Sequence, residues 1–330
     1  MTMESAMSHQ VSIIGLGVMG QRMLTNMTAH AQFTVVAAWD PDATACARTR
    51  ERFPRVRIAD SAADAIADPR STVVYIASPP IAHREHALSA FAQGKSVYCE
   101  KPLGVDVTAS TELVKAADTF GCVNIVNFSL ACAAATSEVE RQLASNELGE
   151  VVGVDIRLHF SQWPRAWQMD AASWLSLRAE GGFAREVLSH WLYLTERLFG
   201  EAVLDAAHVT YPAAAAHGRA LAETHLLARL SVGSLPVTVA GSIGGAGPDR
   251  IEYTVWGQQR SCRIYDWNQL LVSDGASWQE ALTHVADARA TGYTLQLDNA
   301  AAAFSGQPHG MPCFDDALRV QVLIEALLAS

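Results

Sequence analysis

The sequence predicts an α/β domain on a doubly wound parallel sheet, then an α+β domain with an open, mainly antiparallel sheet flanked by helices. Three observations lead there. From Val11 to Val126, short apolar runs alternate with helical stretches, the rhythm of parallel strands joined by crossover helices. The first run ends in a glycine-rich turn that opens directly into a helix. Beyond Phe128 the rhythm gives way to alternating, β-rich segments with short turns. A chain of 330 residues is also long for one core. The expected division is residues 1–128 and 129–330.

Composition narrows the class. Half the residues are hydrophobic and 18% are charged, which suits a well-buried globular protein. A formal charge of −10 with no basic stripe argues against nucleic-acid binding. No apolar run reaches the about 18 residues a membrane span needs. Met1–Gln10 has no basic start and no apolar core, so it reads as a frayed leader and not as a secretory signal. The six cysteines, at 46, 99, 122, 132, 262 and 313, form no CxxC or zinc-like spacing. Reduced cysteines, a cytoplasmic location and no bound metal are the expectation.

Taken in order, Val11–Ile14 is an apolar strand that enters Gly15-Leu16-Gly17-Val18-Met19-Gly20, and Gln21–Ala29 is helical. Gly15 suits the tight turn, Gly17 lets a pyrophosphate approach the backbone, and Gly20 lets helix and strand pack closely. The helix N-terminus offers free N–H groups and a positive dipole end. Phe33–Trp39 is the next strand. It ends at Asp40, twenty residues past Gly20, where a carboxylate can accept from both ribose hydroxyls and repels a 2′-phosphate. An N-cap is the alternative role for Asp40.

The alternation continues through helix Ala43–Phe53, strand Val56–Ile58, helix Ala62–Ala67 and strand Thr72–Ala77, which runs into Ser78-Pro79-Pro80. Helix His83–Ala92 follows. Strand Ser96–Cys99 then stops in Glu100-Lys101-Pro102, before helix Val107–Thr119 and strand Val123–Val126. Right-handed crossovers put Gly15–Gly20, Ser78–Pro80 and Glu100–Pro102 on one carboxyl edge of the sheet, where open parallel sheets bind ligands.

These residues carry a resemblance. The glycine loop, Ile76-Ala77-Ser78-Pro79-Pro80 with His83, and Gly94-Lys95-Ser96-Val97 leading to Glu100-Lys101-Pro102-Leu103 resemble the Gfo/Idh/MocA family. Gly149-Glu150-Val151, Phe304-Ser305-Gly306 and Asp315-Asp316-Ala317-Leu318 extend the likeness over nearly the whole chain. The resemblance implies a Rossmann domain and a substrate-binding, oligomerising second domain. It implies a dinucleotide held by Gly15, Leu16, Gly17, Val18, Met19, Gly20, Asp40, Ser78, Pro79, His83, Glu100 and Lys101. It also implies a homodimer or homotetramer through the C-terminal sheet.

In the second domain, Ala131–Ser145 reads as a helix and Val151–Phe160 as a strand. Strands are expected at Val203–Tyr211, Thr224–Val232, Pro236–Ile243, Arg250–Trp256, Arg260–Trp267 and Gln269–Val272, with closing helices at Tyr293–Phe304 and Cys313–Leu328. Alternation is expected to leave aromatic and aliphatic residues on both sheet faces, one of them free for a second copy. Ala213–Ala216 is alanine-rich. Between the first strand and the rest lies Ser161–Gly200, which holds Trp163, Arg165, Trp167, Trp174 and Arg178. Indole faces stack on sugar rings and arginines fork onto carboxylates or hydroxyls, so these five are the substrate-binding candidates.

Gly181-Gly182 precedes a helix, Phe183–Phe199, with Glu186 and His190 one turn apart. The resemblance implies Asp-x-x-x-His here, facing the nicotinamide together with the lysine of Glu-Lys-Pro. Glu186 stands at the aspartate's place, Phe183 at a third glycine's and Leu188 at another glycine's. A nicotinamide dehydrogenase needs a proton acceptor, a cation for the developing alkoxide and an orienting carboxylate. His190, Lys101 and Glu186 supply them. The reading is an NAD-dependent (NADP as alternative) oxidoreductase acting on a secondary alcohol or ketone of a sugar, cyclitol or polyol. A non-catalytic dinucleotide-binding regulator and an NAD-dependent glycoside hydrolase are the alternatives.

Overall fold

The computed structural model describes residues 8–213, 215, 216, 218–283, 285 and 287–330. Most of the expected leader, residues 1–7, and Ala214 of the alanine-rich tract lie outside the described residues. The chain forms two compact units: residues up to Phe128 with Tyr293–Leu318, and Ser129–Gly292 with Arg319–Ser330. The segment Tyr293–Leu318 therefore returns to the first unit, where a division at residue 128 alone would place it in the second.

The first unit contains β1 (His9–Ile14), α1 (Val18–Ala29), β2 (Phe33–Trp39), α2 (Ala43–Arg52), β3 (Arg57–Ile58), α3 (Ala62–Ile66), β4 (Val73–Ile76), α4 (His83–Phe91), β5 (Ser96–Cys99), α5 (Val107–Phe120) and β6 (Asn124–Val126). The strands pair in parallel in the order β3-β2-β1-β4-β5-β6. The middle strands are buried on both faces, hence their unbroken apolar runs. Asp42, Ser61 and Asp106 cap α2, α3 and α5 through backbone N–H groups, and Gly121 ends α5 in the left-handed region. The strand order reverses between β1 and β4, which makes the crevice beyond their carboxyl ends the ligand edge. The returning segment binds the last strand: Val126 N–H donates to the Pro312 carbonyl and Phe314 N–H to Asn124 Oδ1.

The second unit begins with α6 (Ala134–Ala144) and β7 (Val151–Phe160), then α7 (Ala172–Leu175) and α8 (Ser189–Phe199). It continues with β8 (Val203–Thr210), β9 (Ala215–Ala216), β10 (Arg219–Ala220), β11 (His225–Val232), β12 (Leu235–Ile243), β13 (Arg250–Gly257), β14 (Ser261–Tyr265), β15 (Gln269–Ser273) and β16 (Gln279–Glu280). Eight strands form one sheet in the order β16-β15-β14-β13-β7-β12-β11-β8. Only β7 and β12 pair in parallel; the other neighbours are antiparallel. The last two helices are α9 (Ala288–Phe304), starting five residues earlier than the sequence suggests, and α10 (Phe314–Leu328).

The two faces of this sheet differ sharply. Val154, Ile156, Leu158 and Phe160 of β7 are buried on one face, with Leu226, Leu230, Val237, Val239, Ile251, Tyr253 and Val255 from neighbouring strands. Phe183 lies over Gly241 there, where an added Cβ would sit 2.3 Å from the ring. The opposite face is mixed: Trp256 lies on it, packed on Trp278, among polar and charged residues. Thr210, His225, Ser242, His159 and Arg250 stand in direct cross-strand register across it. They border a groove of about 910 Å³ that also takes in His208, Asp249 and Glu252. Leu227 is exposed on it, in register with Ala240 and His208. The period-2 pattern separates the faces more cleanly than counting aromatic residues does. No helix among the described residues is long and apolar enough to cross a membrane.

Candidate functional site

In the first unit the glycine turn is built by close approach. Gly15 has φ +96°, and a Cβ there would lie 2.5 Å from the Ala77 carbonyl group. A Cβ on Gly20 would lie 1.9 Å from the Gly15 carbonyl oxygen. At Gly17 the space is open, and α1 starts there with no side-chain cap. The first-turn N–H groups of α1 are thus left for an anion. The Ser78 hydroxyl beside this turn is buried and has no hydrogen-bond partner among the described residues. An open cradle, an uncapped helix start and an orphaned hydroxyl fit a dinucleotide phosphate group.

Asp40 braces this turn. Its Oδ2 accepts from Leu16 N–H at 2.6 Å and its Oδ1 from Asp42 N–H at 2.8 Å. A carboxylate has about four acceptor positions, so both oxygens keep capacity for ribose hydroxyls. Val18 and Met19 open α1, and Pro79 stands exposed after Ser78.

His83 works from inside. It is fully buried, with Nδ1 2.9 Å from the Pro102 carbonyl and Nε2 2.8 Å from the Ser78 carbonyl. Two carbonyl acceptors favour the doubly protonated ring, but burial outweighs them and pushes its pKa down to about 4. The neutral ring donates to one carbonyl at a time and ties the Ser78 turn to the Pro102 turn. Both ring nitrogens are engaged by backbone carbonyls, so His83 braces the two turns from within.

Glu100 is also buried. Its carboxylate accepts from the Tyr75 hydroxyl and, at 2.6 Å, from Asn127 Nδ2. The Asn127 side-chain oxygen accepts from Tyr98 at 2.7 Å and from Gln296 of α9. This network anchors the end of β5 from below, while Lys101, the next residue, is half-exposed. The Lys101–Pro102 and Trp163–Pro164 peptide bonds are cis.

In the second unit the expected Phe183–Phe199 helix is not uniform. Ala184–Leu188 is a π-turn, and regular helix starts at Ser189. Single π-turns mark functional sites often, because the wider turn re-aims side chains. Glu186 lies in that turn and His190 in the first turn of α8. Three groups hold the start. Gly181 packs on Leu175, whose carbonyl oxygen would be 2.0 Å from a Cβ. Gly182, at φ +101°, lies against the Glu223 carboxylate. Glu223, 1% exposed, accepts from Ala184 N–H at 2.7 Å. Burial raises its carboxyl pKa to about 7, with Arg185 and the Ala184 N–H opposing. Arg185 forms a double ion pair with Glu325 at 2.6 and 2.8 Å.

The aromatic segment reaches Glu186. Arg165 lies over the Trp167 ring at 4.7 Å and donates to Gln168 Oε1 at 2.8 Å. Gln168 is buried, and its Nε2 donates to Glu186 Oε1 at 3.1 Å. Trp167 is 47% exposed. Trp163 instead donates its indole N–H to the Leu175 carbonyl at 3.2 Å and packs edge-on against Phe183. Trp174 sits half-buried on α7. Arg178 stacks on Tyr211 at 3.7 Å and so joins a different set.

His190 is 5% exposed and packs edge-to-face on Trp267, ring centres 5.1 Å apart. Sequence reasoning missed Trp267, Gln168 and Glu223. None stands in a motif, and Trp267 and Glu223 reach the helix from distant positions. Among the described residues no group of three or more His, Cys, Asp or Glu side chains could hold a metal.

Residues 9–128 match the GFO_IDH_MocA model, an oxidoreductase family with an NAD-binding Rossmann fold. Residues 140–330 match the C-terminal alpha/beta domain of that oxidoreductase family. Inositol 2-dehydrogenase of Rhodococcus jostii (strain RHA1) is 33% identical over 107 residues, 32% of this chain and 29% of that protein. The 1,5-anhydro-D-fructose reductase of Ensifer adhaerens is 29% identical over 133 residues, 39% of this chain and 38% of that protein. The match thus spans about a third of the length of these curated relatives. A levoglucosan dehydrogenase solved with NADH and levoglucosan has a TM-score of 0.84 at 18% identity, covering 98% of this chain and 97% of the other. The WlbA dehydrogenase from Bordetella pertussis, solved with NADH and UDP-GlcNAcA, has a TM-score of 0.81 at 19% identity, covering 99% and 96%. At such identities the likeness establishes the fold.

Proposed function

The chain belongs to the Gfo/Idh/MocA oxidoreductase family, and on that premise we propose that it moves hydride between a nicotinamide cofactor and a secondary alcohol or ketone of a sugar, cyclitol or polyol. What carries this reading is the family match, with one candidate reactive group in each unit. Lys101 stands at the end of β5, and His190 at the start of α8, behind a π-turn. When bound, the cofactor supplies the hydride acceptor. His190 takes the hydroxyl proton, Lys101 stabilises the alkoxide, and Glu186 orients the imidazole or a second hydroxyl. NAD is favoured over NADP because the Asp40 carboxylate would repel a 2′-phosphate.

Trp167 and Arg165, tied through Gln168 to Glu186, support a neutral or weakly anionic polyhydroxylated ring as substrate. Trp163, Trp174 and Arg178 stand as flanking contributors to the same segment. A homodimer or homotetramer through the open sheet face is part of the reading. Its polar surface, with Arg157, Arg250, Asp155 and Glu252, makes the contact salt-sensitive. A monomer by sedimentation at micromolar concentration would contradict it.

The experiment is a panel of inositols, sugars and sugar acids with NAD and NADP, followed by nicotinamide absorbance. Net NADH formation with one ring class supports a dehydrogenase. Tight NAD binding without turnover would point to a regulator, and substrate cleavage without net NADH to a hydrolase.

A further inference from the structure

The loop between β14 and β15 breaks a local rule. Tyr265 pairs with Gln269, so Asp266, Trp267 and Asn268 form a three-residue hairpin loop. Asp266 has φ +45° and Trp267 φ +71°. Glycine is the usual residue at a left-handed position in such loops, and a bulky side chain there is a true outlier. The loop keeps a tryptophan where its own backbone favours glycine. The reason has to lie in what the indole touches.

The indole ends an aromatic stack. Trp191 is fully buried and stacks on Tyr253, ring centres 5.7 Å apart and planes at 17°. On its other side Trp191 stacks on Trp267 at 5.6 Å and 27°. Trp267 then meets the His190 ring nearly at right angles, 84° between planes. The stack breaks a second rule: the buried Trp191 indole N–H has no hydrogen-bond partner among the described residues. Two unfavourable features converge on one imidazole. Local rules are expected to fail where a site demands a geometry the chain would not otherwise adopt.

We propose that Trp267 is a positioning residue for His190, the end plate of a Tyr253–Trp191–Trp267 stack that fixes the plane of the imidazole ring. The proposal rests on the reading of His190 as the acid–base group. With the backbone left-handed at 266–267, the indole packs on His190 and Trp191 of α8. Edge-to-face packing selects one ring orientation. The ring plane limits the directions in which the nitrogens can meet a substrate hydroxyl, and small errors of placement cost large factors in rate.

The test compares Trp267→Gly, which suits the turn, with Trp267→Phe, which keeps an aromatic face. His190→Ala is the control for the underlying reading. Turnover and both Michaelis constants are measured against pH, and the His190 imidazole is titrated by NMR in the cofactor-free protein. Trp267→Gly is expected to lower kcat about tenfold or more, leave the NAD Michaelis constant unchanged, and move both the NMR titration of His190 and the matching limb of the pH–rate profile. Trp267→Phe is expected to recover most of the rate. Should the glycine variant not fold, Trp267→Leu keeps apolar volume without a ring and carries the same expectation. A folded glycine or leucine variant with wild-type kcat would overturn the proposal, whether or not the NMR titration moved. Full activity in His190→Ala would instead overturn the site reading, a result distinct from any behaviour of Trp267.

Discussion

The glycine turn of the first unit and the surroundings of His190 in the second reach their geometry by opposite routes. In the turn every local preference agrees. Glycine stands where φ is positive, where the helix meets the strand, and where an anion must approach. Around His190 several local preferences are overridden. A π-turn replaces regular helix, a tryptophan occupies a left-handed position, and a buried glutamate holds the helix start. A phosphate site can be encoded within one stretch of chain because it is made of backbone. A site for proton transfer needs side chains from distant stretches, and their packing outvotes propensity.

The sharpest way to probe this contrast is to add one methyl group on each side. Gly20→Ala would place a Cβ 1.9 Å from the Gly15 carbonyl, and Gly181→Ala one 2.0 Å from the Leu175 carbonyl. Gly20→Ala is expected to weaken NAD binding about a hundredfold or more by calorimetry, because backbone cannot yield as a side chain can. Gly181→Ala is expected to keep NAD affinity and lose turnover by a similar factor. If both variants lost both properties, the two routes would not be separable.

A smaller effect is expected at Asp40. Asp40→Ala should shift the NAD-to-NADP affinity ratio about tenfold toward NADP, since the repulsion of a 2′-phosphate goes with the carboxylate. Some weakening of both cofactors should accompany it, because Leu16 N–H loses its acceptor.

The smallest effect concerns Glu223 and has a definite sign. Its pKa rises on folding from 4.5 to about 7. A raised folded-state pKa gives stability below the unfolded value that is lost as pH rises through the folded one. Between about pH 5 and pH 8 the charged form therefore costs stability. Glu223→Gln should raise Tm by a few degrees at pH 8, with little change at pH 5. A gain of equal size at both values would mean that burial does not set this titration.

What could be read from the sequence follows the same division. The parallel unit was legible nearly strand by strand, because apolar runs buried on both faces end in turns with distinctive residues. Gly15 and Gly20 make the close backbone approaches their spacing implies, and the space at Gly17 is open. His83, just past the Pro-Pro turn, reads from the sequence as a structural or helix-N-terminal residue, but the two carbonyls it bridges have no sequence signal. The antiparallel strands were legible too, but the character of the open face was not. Tyr253 sits on the buried side, while His159, His225 and Arg250 share the other with Trp256. The link from Arg165 through Gln168 to Glu186 has no sequence signal beyond nearness, and Trp267 lies about eighty residues from the histidine it packs on.

Separate construction of cofactor binding and proton transfer is tested directly by one paired measurement. NAD affinity by calorimetry and turnover on the substrate found in the panel are compared for wild type, Lys101→Ala and His190→Ala. Each variant is predicted to lose turnover by roughly a hundredfold or more. Adenine-end recognition should be intact in both, with NAD affinity in His190→Ala within about threefold of wild type, a difference of about 0.6 kcal/mol. Near-full turnover in both variants, or loss of NAD binding in step with turnover in His190→Ala, would contradict it.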